Sequence, residues 1–208
     1  MTIEEAIVKF KVIVNRNLTG QNLDADHPRI IVWLNDSLRE YANHVIKNER
    51  NSDNIDAVNV LLKEAQIKRT KKTGDTQIFK LPESFIRVES VVGLGKKGNC
   101  QDEIIRLVPT KTRDKSITGS SANLKARWIF REAFYTISEE AIKIVAPFNI
   151  ESVTAEYYRE PRSVSIEGWL SPDGTTTKTV QFEFNSTVVE KIVNMAAAKF
   201  INSNKTIT

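Results

Sequence analysis

The residues able to do chemistry are few and scattered. Gly93-Leu94-Gly95-Lys96-Lys97-Gly98 matches Gly-x-Gly-x-x-Gly and follows a run that reads as a strand. In a dinucleotide site a helix opens at that point, and its N-terminus holds the pyrophosphate. Here residues 99–108 lead to Pro109 and read mostly as strand, which leaves no room for the crossover helix. The motif is therefore expected to be a glycine turn carrying two exposed lysines. The two histidines, His27 and His44, have no companion Cys, His or Asp at zinc-like spacing. Asp24, Asp26 and His27 precede a helix, where an acid caps free N–H groups. Cys100 lies in a polar turn without a base beside it, and no Gly-x-Ser-x-Gly elbow occurs. Asp102-Glu103 and Glu139-Glu140 are adjacent acids. Neighbours on a strand point to opposite faces, so solvated turns explain these pairs better than acid–base work. The expectation is a chain that is not an enzyme, with no cofactor and no metal.

Binding chemistry is better represented. Lys68, Arg69, Lys71 and Lys72 make the densest basic run, and Lys96, Lys97, Lys111, Arg113, Lys115, Lys125 and Arg127 add to it. If a hairpin tip and the 110–125 loop project together, they form a cationic surface suited to phosphate. No recognition helix carries these residues, and aromatics are not interleaved with them as a stacking platform requires. The plainer reading is solvated strand edges, where lysine blocks edge-to-edge pairing. The charge is also uneven. Residues 63–131 hold 16 Lys/Arg against 7 Asp/Glu, a net of +9, and the remainder holds 14 against 19, a net of −5. That distribution suits an anionic partner or head-to-tail packing of copies, basic middle against acidic ends.

The elements that must position these groups can be read from periodicity. Thr2 and Glu5 form a capping box, and Ile3, Ile7, Phe10 and Val14 recur at helical spacing, predicting a helix over 3–15. Asp26 and Pro28 open a second helix over about 28–47, with Ile30, Ile31, Leu34, Leu38, Tyr41, Ala42 and Val45 on one face. A shorter helix is expected over 54–63. The period then changes. Residues 66–70 and 76–81 flank Thr73-Gly74-Asp75 as a hairpin. Further strands are expected at 85–92, 104–108, 127–136, 141–145 and 152–159. Ser186–Asn202 is a final helix, with a second capping box at Thr187 and Glu190. Two long irregular stretches, 110–125 and 163–179, read as extended arms.

Helices at both ends around successive strands predict an α+β fold: a small helical bundle with an antiparallel β-sheet and long loops. The 208 residues show no internal repeat and no clean boundary, so a single domain over 1–208 is expected. No apolar run reaches membrane-spanning length, and the acidic opening Met1-Thr-Ile-Glu-Glu is not that of a secretory signal. A single cysteine, which cannot form an internal disulfide, fits a reducing compartment.

Three stretches resemble head–tail connector proteins of tailed bacteriophages. Ile31-Val32-Trp33-Leu34-Asn35-Asp36-Ser37-Leu38-Arg39-Glu40-Tyr41-Ala42 is similar to their second-helix segment. Phe79-Lys80-Leu81-Pro82-Glu83-Ser84-Phe85-Ile86-Arg87-Val88 resembles the step after their first hairpin. Ala141 to Pro147, followed by Tyr157-Tyr158-Arg159-Glu160-Pro161, is similar to their later strand pair. The resemblance implies a virion protein that forms an adaptor ring in the phage neck, commonly twelvefold. The ring would dock beneath the portal, hold the tail or the next ring and let DNA pass, after assembly in the host cytoplasm. The implied partners are other copies of the chain, the portal protein, and a tail or second neck-ring protein. Non-specific contact with DNA in the channel would be added, and no membrane is involved.

Overall fold

The computed structural model describes residues 1–17, 26–48, 59–98, 101–110, 126–138, 140–168 and 177–205. The chain divides into two compact units, Met1–Leu61 with Glu160–Thr208, and Leu62–Arg159. The described residues form three α-helices and an eight-stranded curled sheet, a mixed α+β architecture.

The first unit is helical. In α1 (Ile3–Asn17) the Thr2 N–H donates to Glu5 Oε2 at 2.9 Å and the Glu5 N–H to Thr2 Oγ1 at 3.2 Å, the reciprocal cap expected of that spacing. In α2 (His27–Lys47) the Asp26 side chain accepts from the Arg29 N–H, with Pro28 in the first turn. At the start of α3 (Ser186–Lys205) the second expected capping box does not form. Asn185 Oδ1 accepts the Val188 N–H at 2.9 Å instead, which leaves Thr187 inside the first turn and Glu190 free to pair with Lys9. Asparagine caps as well as serine or threonine, and here it comes two residues earlier.

Phe200 of α3 gathers the other two helices. Its ring meets Phe10 of α1 at 5.5 Å and Trp33 of α2 at 6.2 Å, both edge-on. Such pairs add about 0.5–1.5 kcal/mol each beyond the area they bury. On α2, the Asn35 amide behaves like a piece of strand: Nδ2 donates to the Val164 carbonyl at 3.0 Å and Oδ1 accepts the Val164 N–H at 2.8 Å. Ser165 and Val180 exchange backbone hydrogen bonds at 3.2 and 2.9 Å. The stretch expected as an arm over 163–179 is thus anchored within the helical unit at both ends, and 169–176 lie outside the described residues.

The second unit is the sheet. Its strands are β1 (Leu62–Lys68), β2 (Lys71–Thr73), β3 (Thr76–Lys80), β4 (Phe85–Lys96), β5 (Glu103–Pro109), β6 (Glu132–Ser138), β7 (Ala141–Val145) and β8 (Asn149–Arg159). They lie in the order β1-β8-β4-β5-β6-β7-β3-β2. Every pairing is antiparallel except β5 with β6, where Arg106 faces Glu132 and Pro109 faces Tyr135 in parallel. The sheet is therefore mixed rather than antiparallel. The long link from Thr110 to Arg131 supplies the crossover that a parallel pair needs.

The hairpin forms at Gly74-Asp75, between Thr73 and Thr76, with Gly74 at φ 58°. The strand before it does not lie wholly against 76–81 as expected. Leu62–Lys68 pairs with β8, from Leu62 opposite Tyr158 to Lys68 opposite Ser152, and only after Arg69-Thr70 does the chain join β3. The two edges of the sheet are thus carried on one continuous stretch, Leu62–Thr73, and the sheet curls back to its own start. Of the helix expected at 54–63, residues 54–58 fall outside the described residues, and Leu62 and Lys63 open a strand instead. The strand expected from residue 127 begins only at Glu132, because Trp128–Phe130 is a 3-10 turn.

Inside the curl, Ile67, Phe79, Leu81, Val91, Ile105, Ala133, Tyr135, Ile142, Ile144, Phe148, Ile150 and Val153 form the core. Gly93 and Gly95 stand inside β4, not in a turn. A Cβ on Gly95 would come within 2.7 Å of Ile105 Cγ1 and 3.1 Å of the Asn149 carbonyl. The glycine-rich motif is a close-approach device between packed strands, and only Lys97-Gly98 follows the strand end.

Candidate functional site

Strand direction brings the basic residues together. β1, β4 and β7 end, and β5, β6 and β8 begin, at the same end of the sheet. It is the end opposite Leu62 and Arg159, where the chain enters and leaves. Lys68, Arg69, Lys71 and Lys72 run along it on the closing strand, and Lys96 and Lys97 reach it at the end of β4. Arg127 reaches it just before the 3-10 turn. Lys111, Arg113, Lys115 and Lys125 lie outside the described residues.

These groups are linked by contacts around the rim. Lys96 is the register partner of Asn149. Asn149 Oδ1 accepts from Lys72 Nζ at 3.2 Å and also from the Arg69 guanidinium. On the other side of β4, Gly95 is the register partner of Glu103, which receives the Arg131 guanidinium at 2.9 Å. That hydrogen bond holds the Glu103 carboxyl below its ordinary range and pushes Arg131 up. Arg131 ends the turn that carries Phe130, over which the Arg127 guanidinium lies at 6.0 Å.

Arg69 does not belong to the exposed set. Its guanidinium donates to Gln77 Oε1 at 3.1 Å and to the Ile150 carbonyl at 3.0 Å, at the corner where the closing strand passes from β8 to β3. It serves the fold. Lys68, Lys71, Lys72 and Lys97 are exposed, and together with Lys96 they have no carboxylate partner among the described residues. Some cations elsewhere are paired: Lys80 with Glu83, Arg87 with Glu89, Arg162 with Glu183, Lys199 with Glu40. The rim also carries Asp75, Asp102, Glu103, Glu132 and Glu151, and its cations outnumber them.

Sequence reasoning missed the turn beside these cations. Trp128 packs edge-on against Phe148 at 5.3 Å, while Ile129 is 81% and Phe130 65% exposed. Arg131 closes the turn at φ 48°, a left-handed conformation that residues other than glycine seldom adopt. The available signal was Trp128-Ile129-Phe130 itself. Three bulky apolar residues in a row cannot all face one side of a strand.

The other chemical candidates resolve as structure or fall outside it. Asp26 caps α2, and the His44 ring meets the Asn48 amide at 3.3 Å. Cys100 and Glu139 are outside the described residues. Among the described residues no three His, Cys, Asp or Glu side chains cluster as a metal site would require, and no helix is long and apolar enough to cross a membrane. The chain matches no protein-family model and no curated protein.

Proposed function

We propose that the chain is a structural, non-catalytic protein of the neck of a tailed phage, an adaptor that forms a ring between the portal and the tail and lets DNA pass. One observation carries this reading: the three connector-like stretches lie on a helix, on the step after a hairpin and on two later strands, the element types that the resemblance implies. The first lies on α2, the second on the step from β3 to β4 with Leu81 buried, and the third on β7 and the end of β8. The ring contacts of Phe200 with Phe10 and Trp33, on helices before and after the sheet in sequence, support the helical bundle that the resemblance implies. The ring would be twelvefold and its partners other copies, the portal and a tail or second-ring protein, in the host cytoplasm and then in the virion. Size-exclusion chromatography with light scattering, alone and with the portal, tests it. A chain that stays monomeric and ignores the portal overturns it.

A second reading is a nucleic-acid-binding module. The unpaired lysines gathered at one end of the sheet favour it. Binding through phosphates predicts that log affinity falls with log salt by about 0.9 per contact for duplex DNA. The absence of any shift of labelled DNA at low salt removes this reading.

A further inference from the structure

We infer that the basic end of the sheet binds single-stranded nucleic acid, with Phe130 as a stacking platform for a base and Ile129 packing beside it. This rests on the second reading above and names its ligand.

The rim offers two chemistries side by side. Lys68, Lys71, Lys96 and Lys97 present cations unmatched by carboxylates among the described residues. The 3-10 turn holds two large apolar side chains in solvent, anchored from beneath by Trp128 on Phe148 and from the side by Arg131 on Glu103. The contacts run without a gap from Phe130 through Arg131, Glu103 and Gly95 to Lys96, Asn149 and Lys72. A ligand that matches both is a polyanion with flat apolar faces exposed. A single strand has phosphates at a regular spacing and unstacked bases. A duplex hides those faces, and a polyanion such as heparin lacks them. Arg127, lying over Phe130, adds a guanidinium to the same platform.

The test compares labelled oligothymidylate, the matching duplex and heparin by fluorescence anisotropy across a salt series. The inference expects the single strand to bind most tightly. Phe130→Ala should then weaken it about tenfold or more while leaving the salt slope unchanged. The double change Lys71→Ala and Lys97→Ala should flatten the slope. Both sites are exposed, and an unchanged near-ultraviolet circular dichroism spectrum checks that the variants fold. If Phe130→Ala binds like the parent while the lysine variant loses affinity, the stacking inference is wrong and the phosphate reading stands. If nothing binds at about 50 mM salt, both are wrong. The neck-adaptor reading is unaffected by either result.

Discussion

The Arg69 guanidinium donates a hydrogen bond at 3.1 Å to Oε1 of Gln77, a side chain with no exposed surface at all. The same oxygen accepts the Ile150 N–H at 2.8 Å, and Nε2 donates to the Phe148 carbonyl at 2.9 Å. Gln77→Leu leaves all three partners without it and is expected to destabilise by about 3 kcal/mol. Arg69→Met should cost about 2 kcal/mol, since the charge-assisted bonds to Gln77, Asn149 and the Ile150 carbonyl are lost while Gln77 keeps its backbone partners. Urea unfolding measures both. A midpoint unchanged by Gln77→Leu would show that the corner does not depend on this network.

Phe200→Ala removes the ring that touches Phe10, Trp33 and, at 5.6 Å, the Arg29 guanidinium. A cavity at a fully buried aromatic costs about 3–5 kcal/mol. Thermal unfolding followed by circular dichroism should show the helical signal lost at a lower temperature.

Gly95→Ala forces a methyl group to 2.7 Å from Ile105 Cγ1 and 3.1 Å from a backbone carbonyl. The expected loss is about 1–3 kcal/mol. Gly93→Ala meets side-chain atoms at no less than 3.4 Å and should be milder. Urea midpoints of the two variants give the comparison.

Ser37 is fully buried on α2, and its hydroxyl has no hydrogen-bond partner among the described residues. Ser37→Ala removes that unsatisfied group and improves helix propensity, so it should stabilise by about 1 kcal/mol. A fall in melting temperature would contradict this.

Glu103 titrates below its ordinary range because Arg131 hydrogen-bonds its charged form. A carboxyl lowered in the folded state stabilises above its ordinary pKa and loses that contribution as pH falls through the lowered one. Arg131→Ala should raise the Glu103 pKa toward the ordinary value. A side-chain NMR titration that shows no upward movement would break the assignment.

The helices were legible in sequence because caps and apolar stripes are local. Thr2 with Glu5, and Asp26 with Pro28, fixed two starts to within a residue. The start of α3 at Ser186 was legible, but its cap was misassigned, because Asn185 and Thr187 both qualify and only the backbone decides. Strand existence was legible, and partner choice was not. Nothing in Leu62–Lys68 says that it lies on residues about ninety positions later, and nothing in Gly93–Gly98 separates a turn from a strand that needs space. Most of the candidate cations were identifiable by type. Their gathering on one rim, and the withdrawal of Arg69 from it, depend on topology.

The stretch Leu62–Thr73, which carries both edges of the sheet, also sets an order of events during synthesis. It cannot be paired along its first half until Ser152–Tyr158 has left the ribosome. The sheet is then complete as an insertion, while α1 and α2 still await α3, which follows it in the chain. Until that moment Phe10 and Trp33 lack the ring they pack against. The chain thus finishes its inner unit before its outer one, and truncation near the C-terminus should cost the helices while sparing the sheet.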